Sequence, residues 1–291
     1  MILRYYVTRN DQMDQDIKDN IAADTPEKAF ALLSSVTQDP VFTVRDDLYD
    51  FSLLLDAVKL RRKKKTNSRF RLVDSGALSL TQVEWLAEEG ADVYTSDEVG
   101  KSVQELESIQ NACKKGTTLL AYLHSAALEN DEAPSLGLSG LKSLGASGVY
   151  LYLSNKDTER NLSDVILLAD LCQRAQSRLV YFHHKELDAA LFELGRAGAW
   201  LHISDKNIKS PDEMPLLADI IRSARASGTN VIIHVEKGTE FLLLEDLQKA
   251  GAVLIFKSAL IDYRSPLRPL EEKTKRQKLD ANAYYLYPIL L

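Results

Sequence analysis

The chain has 291 residues, of which 45% are hydrophobic and 27% are charged, a composition typical of a globular protein. Its net charge of −6 gives no overall positive field for a phosphate backbone, which disfavours general nucleic-acid binding. No run approaches the roughly 18 apolar residues of a membrane span. Two cysteines without metal or redox spacing, and an N-terminus without an apolar signal core, predict a cytoplasmic protein.

The first 66 residues are less regular than the rest of the chain. The β-rich runs Ile2–Thr8 and Val41–Val44 predict strands, and Leu48–Arg62 predicts a helix. A further helix is expected to begin with Thr25 as N-cap and Pro26 at the first helical position. We therefore predict a short α/β extension over residues 1–66. The alternative is that Val41–Val44 is the first strand of the following domain.

A strand, an amphipathic helix and a glycine-containing turn alternate from residue 69 onward. Eight strands are predicted: Phe70–Asp74, Asp92–Ser96, Thr118–His124, Gly148–Leu153, Arg178–His183, Trp200–Ser204, Asn230–Val235 and Val253–Lys257. The strands are apolar almost throughout, which indicates a parallel sheet covered on both faces. The sequence thus predicts an α/β fold, a (β/α)8 TIM-type barrel over residues 67–270. A doubly wound sheet is the alternative, although Asp74–Leu78 is not its usual phosphate loop.

Helices are predicted between these strands, and they include Leu80–Glu89, Val99–Lys115, Leu162–Ala175, Leu187–Ala197, Pro215–Ala226 and Phe241–Ala250. After the barrel, residues 271–291 form a charged segment followed by the apolar run Tyr284–Leu291. An exposed apolar tail is costly. We therefore expect the tail to dock on its own chain or on a partner protein, and a homo-oligomer formed through it is one hypothesis.

Polar side chains gather where the predicted strands end, which is where barrel proteins place their active sites. The candidates for catalysis are His183, His184, His202, His234, Asp205 and Glu236. Imidazole transfers protons near neutral pH and is the commonest metal ligand, and carboxylates bind divalent cations. No cofactor is identified, but a divalent metal is a hypothesis. Alternation along a strand places His202 and Ser204 on one face and Asp205 on the other, without showing which face points inward.

The order of elements over residues 79–266 resembles the cyclic-di-GMP phosphodiesterase barrel named for its Glu-Ala-Leu motif. Leu78–Glu89 resembles the early helix of that family, Val149–Ser154 its Glu-bearing strand, and Val231–Leu247 its late strand and following helix. The Glu-Ala-Leu motif itself is absent, and His183–Lys185 stands where the family has paired Asp residues. The resemblance implies a (β/α)8 fold, and a degenerate member without the usual metal chemistry.

Two functions remain open from the sequence. Histidines at strand ends also resemble amidohydrolase-type metal barrels, but the His-x-His pair of that family is missing, and no GxSxG, P-loop or HExxH motif occurs. The first hypothesis is a hydrolase, similar to a phosphodiesterase, that acts on a small polar substrate through the histidines and carboxylates above. The alternative is a barrel without catalysis that binds a ligand or assembles with a partner protein.

Overall fold

A computed structural model describes residues 26–36, 41–63, 69–128, 136–237, 240–261 and 264–275. The predicted strand Ile2–Thr8 and the apolar tail Tyr284–Leu291 lie outside these residues. Within the described ranges, no helix has the length and apolar character needed to cross a membrane.

Strands and helices alternate along the described chain. The strands are β1 Val41–Arg45, β2 Arg69–Val73, β3 Ala91–Ser96, β4 Leu120–His124, β5 Tyr150–Ser154, β6 Leu179–His183, β7 Trp200–Ser204, β8 Val231–Val235 and β9 Val253–Phe256. The helices are α1 Pro26–Ser35, α2 Phe51–Lys63, α3 Leu80–Glu89, α4 Val103–Gly116, α5 Leu138–Ser147, α6 Leu162–Arg174, α7 Ala190–Arg196, α8 Met214–Ala226, α9 Phe241–Ala250 and α10 Arg268–Lys275.

The strands lie in chain order, β1 to β9, in a nine-stranded parallel sheet. A doubly wound sheet reverses its strand order at a switch point, so this order is that of a (β/α) barrel. The predicted fold class is confirmed, and all eight predicted strands are present. Val41 pairs with Arg69, so β1 belongs to the sheet and supplies a ninth strand. The division of the chain at residues 66 and 270 stays a prediction.

Contacts divide the chain into two compact units, with the break between Leu123 and His124. In the first unit, helix α3 begins with a capping box of Ser79 and Gln82. These reciprocal bonds satisfy backbone amides that have no partner inside the helix. Helix α4 ends at Gly116, where an added Cβ would lie 2.0 Å from the carbonyl oxygen of Ala87. Glycine is therefore required for α3 and α4 to approach this closely.

Helix α5 opens the regular structure of the second unit and was not among the predicted helices. Its sequence, LSGLKSLGAS, contains two glycines and three serines, residues of modest or poor helix propensity. Packing stabilises it instead, because Leu141 and Leu144 are fully buried. Gly145 allows a close approach as well, since a Cβ there would lie 3.2 Å from the Cys172 sulfur of α6.

Candidate active site on the sheet of the second unit

One face of the sheet in the second unit packs on helices, and β5 shows which face this is. A Cβ added to Gly145 of α5 would lie 3.5 Å from Cδ1 of Leu151, so Leu151 points toward α5. Successive strand residues point to opposite faces. Tyr152 and Ser154 therefore point away from the helices.

The strand register carries this assignment to the neighbouring strands, because paired residues in a parallel sheet share a face. Ser154 pairs with Phe182, Phe182 pairs with His202, and Ser204 pairs with His234. These four residues of β6, β7 and β8 therefore lie on the face opposite the helices. The register therefore shows that His202 and Ser204 point away from the helices, which alternation along the strand could not decide.

His202 and His234 form a buried pair on this face. The Nδ1 atom of His202 lies 3.1 Å from Nε2 of His234, and the two rings stack with centroids 5.3 Å apart. Phe182 stacks on the other side of His202, at 4.2 Å between centroids. Burial, and secondarily the neighbouring His234, holds the pKa of His202 well below its usual range. Burial, followed by His184, lowers the pKa of His234 to about 3. Both imidazoles are therefore neutral near pH 7.

A second polar group lies beyond this pair, at the ends of β7 and β8. Lys206 Nζ is 2.5 Å from Glu236 Oε2, and Ser204 Oγ is 3.5 Å from Glu236 Oε1. The side chain of Glu236 is only 13% exposed, so this ion pair is partly shielded from water. Ser204 and Lys206 were not among the predicted site residues. Alternation along β7 was the available signal for Ser204, two residues after His202, whereas Lys206 lies in the 3-10 helix that follows the strand.

His184 follows the end of β6 and is half-buried. Its backbone amide donates a 2.7 Å hydrogen bond to Oδ1 of Asn155, which fixes the chain at this point. Burial lowers the pKa of the His184 imidazole, and the positive charge of Lys156 lowers it further. His184 in turn lowers the pKa of both His202 and His234. It is thus the accessible imidazole above the buried pair.

His183 is on the helix-facing side, since its register partner is Ile203. Its Nδ1 lies 3.2 Å from the side-chain amide nitrogen of Asn155, and its Nε2 lies 2.7 Å from the carbonyl oxygen of Glu186. Burial lowers the pKa of His183, while the bond to Glu186 opposes that shift. Both ring nitrogens already have partners, an arrangement that positions the loop after β6.

Asp205 is fully buried at the end of β7. Its carboxylate accepts hydrogen bonds from the backbone amides of Glu236, at 2.9 Å, and Lys237, at 3.2 Å. Asp46 has the corresponding place after β1, where it accepts from the amides of Ser75, Ala77 and Leu78. Each of these aspartates directly follows its strand and begins a 3-10 helix. An aspartate directly after a strand was therefore the sequence signal for a side chain that holds the next loop.

The predicted set is therefore divided between the two faces. The face opposite the helices brings together His202, His234 and Glu236, with His184 above them, whereas His183 and Asp205 hold loops in place. Among the described residues, no group of three or more His, Cys, Asp or Glu side chains is arranged to hold a metal ion. In the buried pair, the facing nitrogens of His202 and His234 already contact each other.

No protein-family model matches the chain, and no curated protein matches it. Similar solved structures include an HpcH/Hpal aldolase/citrate lyase family protein from Burkholderia cenocepacia J2315, with 14% identity over 70% of this chain and 91% of that chain, TM-score 0.32. The PaMucR phosphodiesterase in complex with c-di-GMP has 15% identity over 69% and 70%, TM-score 0.30. The EAL enzyme Bd1971 has 14% identity over 81% and 48%, TM-score 0.32. Glu-Ala-Leu-type enzymes are thus among the similar structures. The sequence identities and TM-scores are too low to carry information on activity.

Proposed function

We propose that this protein is an enzyme that hydrolyses a small polar substrate at the ends of β6, β7 and β8, on the face opposite the helices. The observation that carries the proposal is the meeting of His184, Lys206 and Glu236, which come from three successive strand ends. In (β/α) barrels, groups at the carboxyl ends of the strands perform the chemistry.

Each group has a role that follows from its environment. His184 has a lowered pKa, so its neutral imidazole accepts a proton from an attacking water. Lys206, held by Glu236, supplies a positive charge for a substrate oxygen on which negative charge develops. Lys156 adds a second positive charge close to His184. Glu236 compensates Lys206, and the charge of Asp157 also acts on His184, so these cations favour a substrate with a single negative charge, such as a phosphodiester.

The remaining predicted residues support these groups. His202 and His234 form a neutral, buried floor beneath these groups. Asp205 holds the amide of Glu236 at 2.9 Å and so fixes the start of the loop that carries this carboxylate. His183, through Asn155, positions the backbone of His184.

Hydrolysis of bis(p-nitrophenyl) phosphate and p-nitrophenyl acetate by the purified full chain tests the proposal. We expect release of p-nitrophenolate that persists in EDTA, because the proposed groups are side chains of the protein. Glu236→Gln removes the carboxylate that holds Lys206 and should slow release about tenfold or more, because the lysine loses its position. Lys249→Gln, a control on the exposed surface of α9, should leave the rate unchanged. Absence of release, or release only with added metal, would contradict the proposal.

Ligand binding without turnover is the second candidate, and one observation favours it. The pKa values of His202 and His234 are so low that neither ring exchanges protons near neutral pH. Rings that stay neutral in this way do no acid–base chemistry themselves, which favours binding over turnover. Thermal stabilisation by either ester, lost in Glu236→Gln and not accompanied by hydrolysis, would select this candidate.

Assembly through the C-terminal tail is a separate proposal, supported by the apolar sequence of residues 284–291. Deletion of these residues should reduce the sedimentation coefficient of an oligomer to that of the monomer. An unchanged sedimentation coefficient would contradict assembly through the tail.

A further inference from the structure

One short turn of chain lies between the two loops that carry the proposed active site. It is the 3-10 helix Asp205–Asn207, which directly follows β7. His184 is on the loop after β6, and Glu236 begins the loop after β8, so β7 and its turn separate the two groups in the sheet. Loops are more mobile than the elements they connect. The contacts of the turn therefore decide how firmly His184 and Glu236 are held relative to each other.

The first two residues of the turn hold the loop after β8. The Asp205 carboxylate accepts the backbone amides of Glu236 and Lys237, at 2.9 and 3.2 Å. The Lys206 ammonium lies 2.5 Å from Oε2 of Glu236. One residue of the turn thus fixes the backbone of this loop, and the next fixes the carboxylate that the loop carries. The turn itself is tied to the end of β7, because Ser204 Oγ accepts the Lys206 amide at 3.2 Å.

The third residue of the turn, Asn207, holds the loop after β6. Its Nδ2 atom donates to the carbonyl oxygens of His183, at 3.3 Å, and Lys185, at 2.7 Å. These two carbonyls come directly before and after His184 in the chain. An asparagine amide has two N–H donors, and Asn207 uses both of them here. On the β5 side, Asn155 Oδ1 accepts the His184 amide at 2.7 Å, so the backbone at His184 is held by one asparagine from each neighbouring strand.

We infer that Asn207 is a positioning residue, which sets the place of His184 relative to the Lys206–Glu236 ion pair by holding the backbone carbonyls before and after His184. The inference rests on the proposed function, since it takes His184 as the general base and Lys206 as the cation for the substrate oxygen. A misplacement of about 1 Å can slow a reaction about 100-fold. Asn207 acts through the backbone, and not on the substrate.

Two variants of the full chain test the inference in the hydrolysis of bis(p-nitrophenyl) phosphate. Asn207→Asp keeps the size of the side chain but places an oxygen against two carbonyl oxygens, and Asn207→Ala removes the donor without adding charge. In both, kcat should fall about tenfold or more while KM stays within about twofold of wild type. A merely structural role would lower thermal stability and leave the kcat of the folded protein unchanged. Asn111→Asp, a control with the same charge change on the exposed surface of α4, should keep the wild-type kcat.

An NMR measurement on wild type tests the contacts without any variant. Both side-chain amide protons of Asn207 should exchange with water about tenfold more slowly than those of Asn111, because they are hydrogen-bonded. The imidazole signals of His184 should move in Asn207→Ala and stay in place in Asn111→Asp. Equal exchange at the two asparagines, or a folded Asn207→Ala protein with wild-type kcat, would overturn the inference. If wild type releases no p-nitrophenolate, the proposed function fails, whereas the exchange rates and the His184 signals still decide whether Asn207 holds His184 in place.

Discussion

The Nδ1 atom of His202 lies 3.1 Å from Nε2 of His234, and both rings are buried on the sheet face opposite the helices. This contact defines the floor of the proposed active site. The contact also occupies the two facing nitrogens. The pKa values of both rings are lowered because a charged imidazolium is poorly solvated in this buried position.

The first prediction concerns stability in acid. Burial lowers the pKa of folded His234 from 6.5 to about 3, so the unfolded chain binds more protons than the folded chain between these values. The contribution to stability is complete above pH 6.5 and is lost as the pH falls toward 3, by about 1.4 kcal/mol per pH unit for one such ring. His202 acts in the same direction.

Urea unfolding between pH 7 and 5 measures this effect. The double variant His202→Gln/His234→Gln has no ionisable group at these positions and should lose less stability over the interval than wild type. In wild type, the imidazole NMR signals of both residues should not titrate between pH 7 and 5. Titration of either signal near pH 6.5 would contradict a buried neutral pair.

The second prediction concerns Asp205 as a brace for the next loop. Asp205→Ala removes the acceptor of the Glu236 and Lys237 amides and should destabilise the fold by about 2–3 kcal/mol. Hydrogen exchange at both amides should accelerate. Asp46→Ala, at the corresponding position of the first unit, should also destabilise the fold but leave exchange at Glu236 relatively protected. Unchanged stability and exchange in Asp205→Ala would rule out a bracing role.

The third prediction concerns a buried ion pair in the first unit. Lys101 Nζ lies 2.6 Å from Asp74 Oδ2, with side chains 10% and 0% exposed. Lys101→Met leaves the carboxylate buried without its cation and should reduce the free energy of unfolding by about 3–5 kcal/mol. The double variant Lys101→Met/Asp74→Leu should recover part of that loss. A double variant whose loss equals the sum of the two single losses would show that the pair is not coupled.

Much of the fold could be predicted because the strands are continuous apolar runs separated by helix-ending glycines. Helix α5 could not, since its glycines and serines carry little helical propensity and its stability comes from packing against α6. For β1, the local sequence predicted the strand and left its membership of the sheet as an alternative, because its partner Arg69 lies 28 residues away along the chain.

The candidate site was predictable only in part. Strand ends and alternation identified His202 and His234, but the face they occupy required the contact between Leu151 and α5. The neighbours His183 and His184 look equivalent in sequence, yet within the described part of the chain only His183 has both ring nitrogens bonded. In the sequence, Asp205 looks like a catalytic carboxylate. The structure shows that it instead accepts hydrogen bonds from backbone amides of the next loop, and no local sequence pattern predicts those bonds.

The proposed role of His184 is the central claim, and the rate of bis(p-nitrophenyl) phosphate hydrolysis in EDTA tests it most directly. General-base catalysis contributes about 100-fold or more, so His184→Gln should lower the rate by at least about that factor while keeping the thermal stability of wild type. Lys249→Gln should retain the full rate. A folded His184→Gln protein that hydrolyses the ester at the wild-type rate would contradict the assignment of the active site.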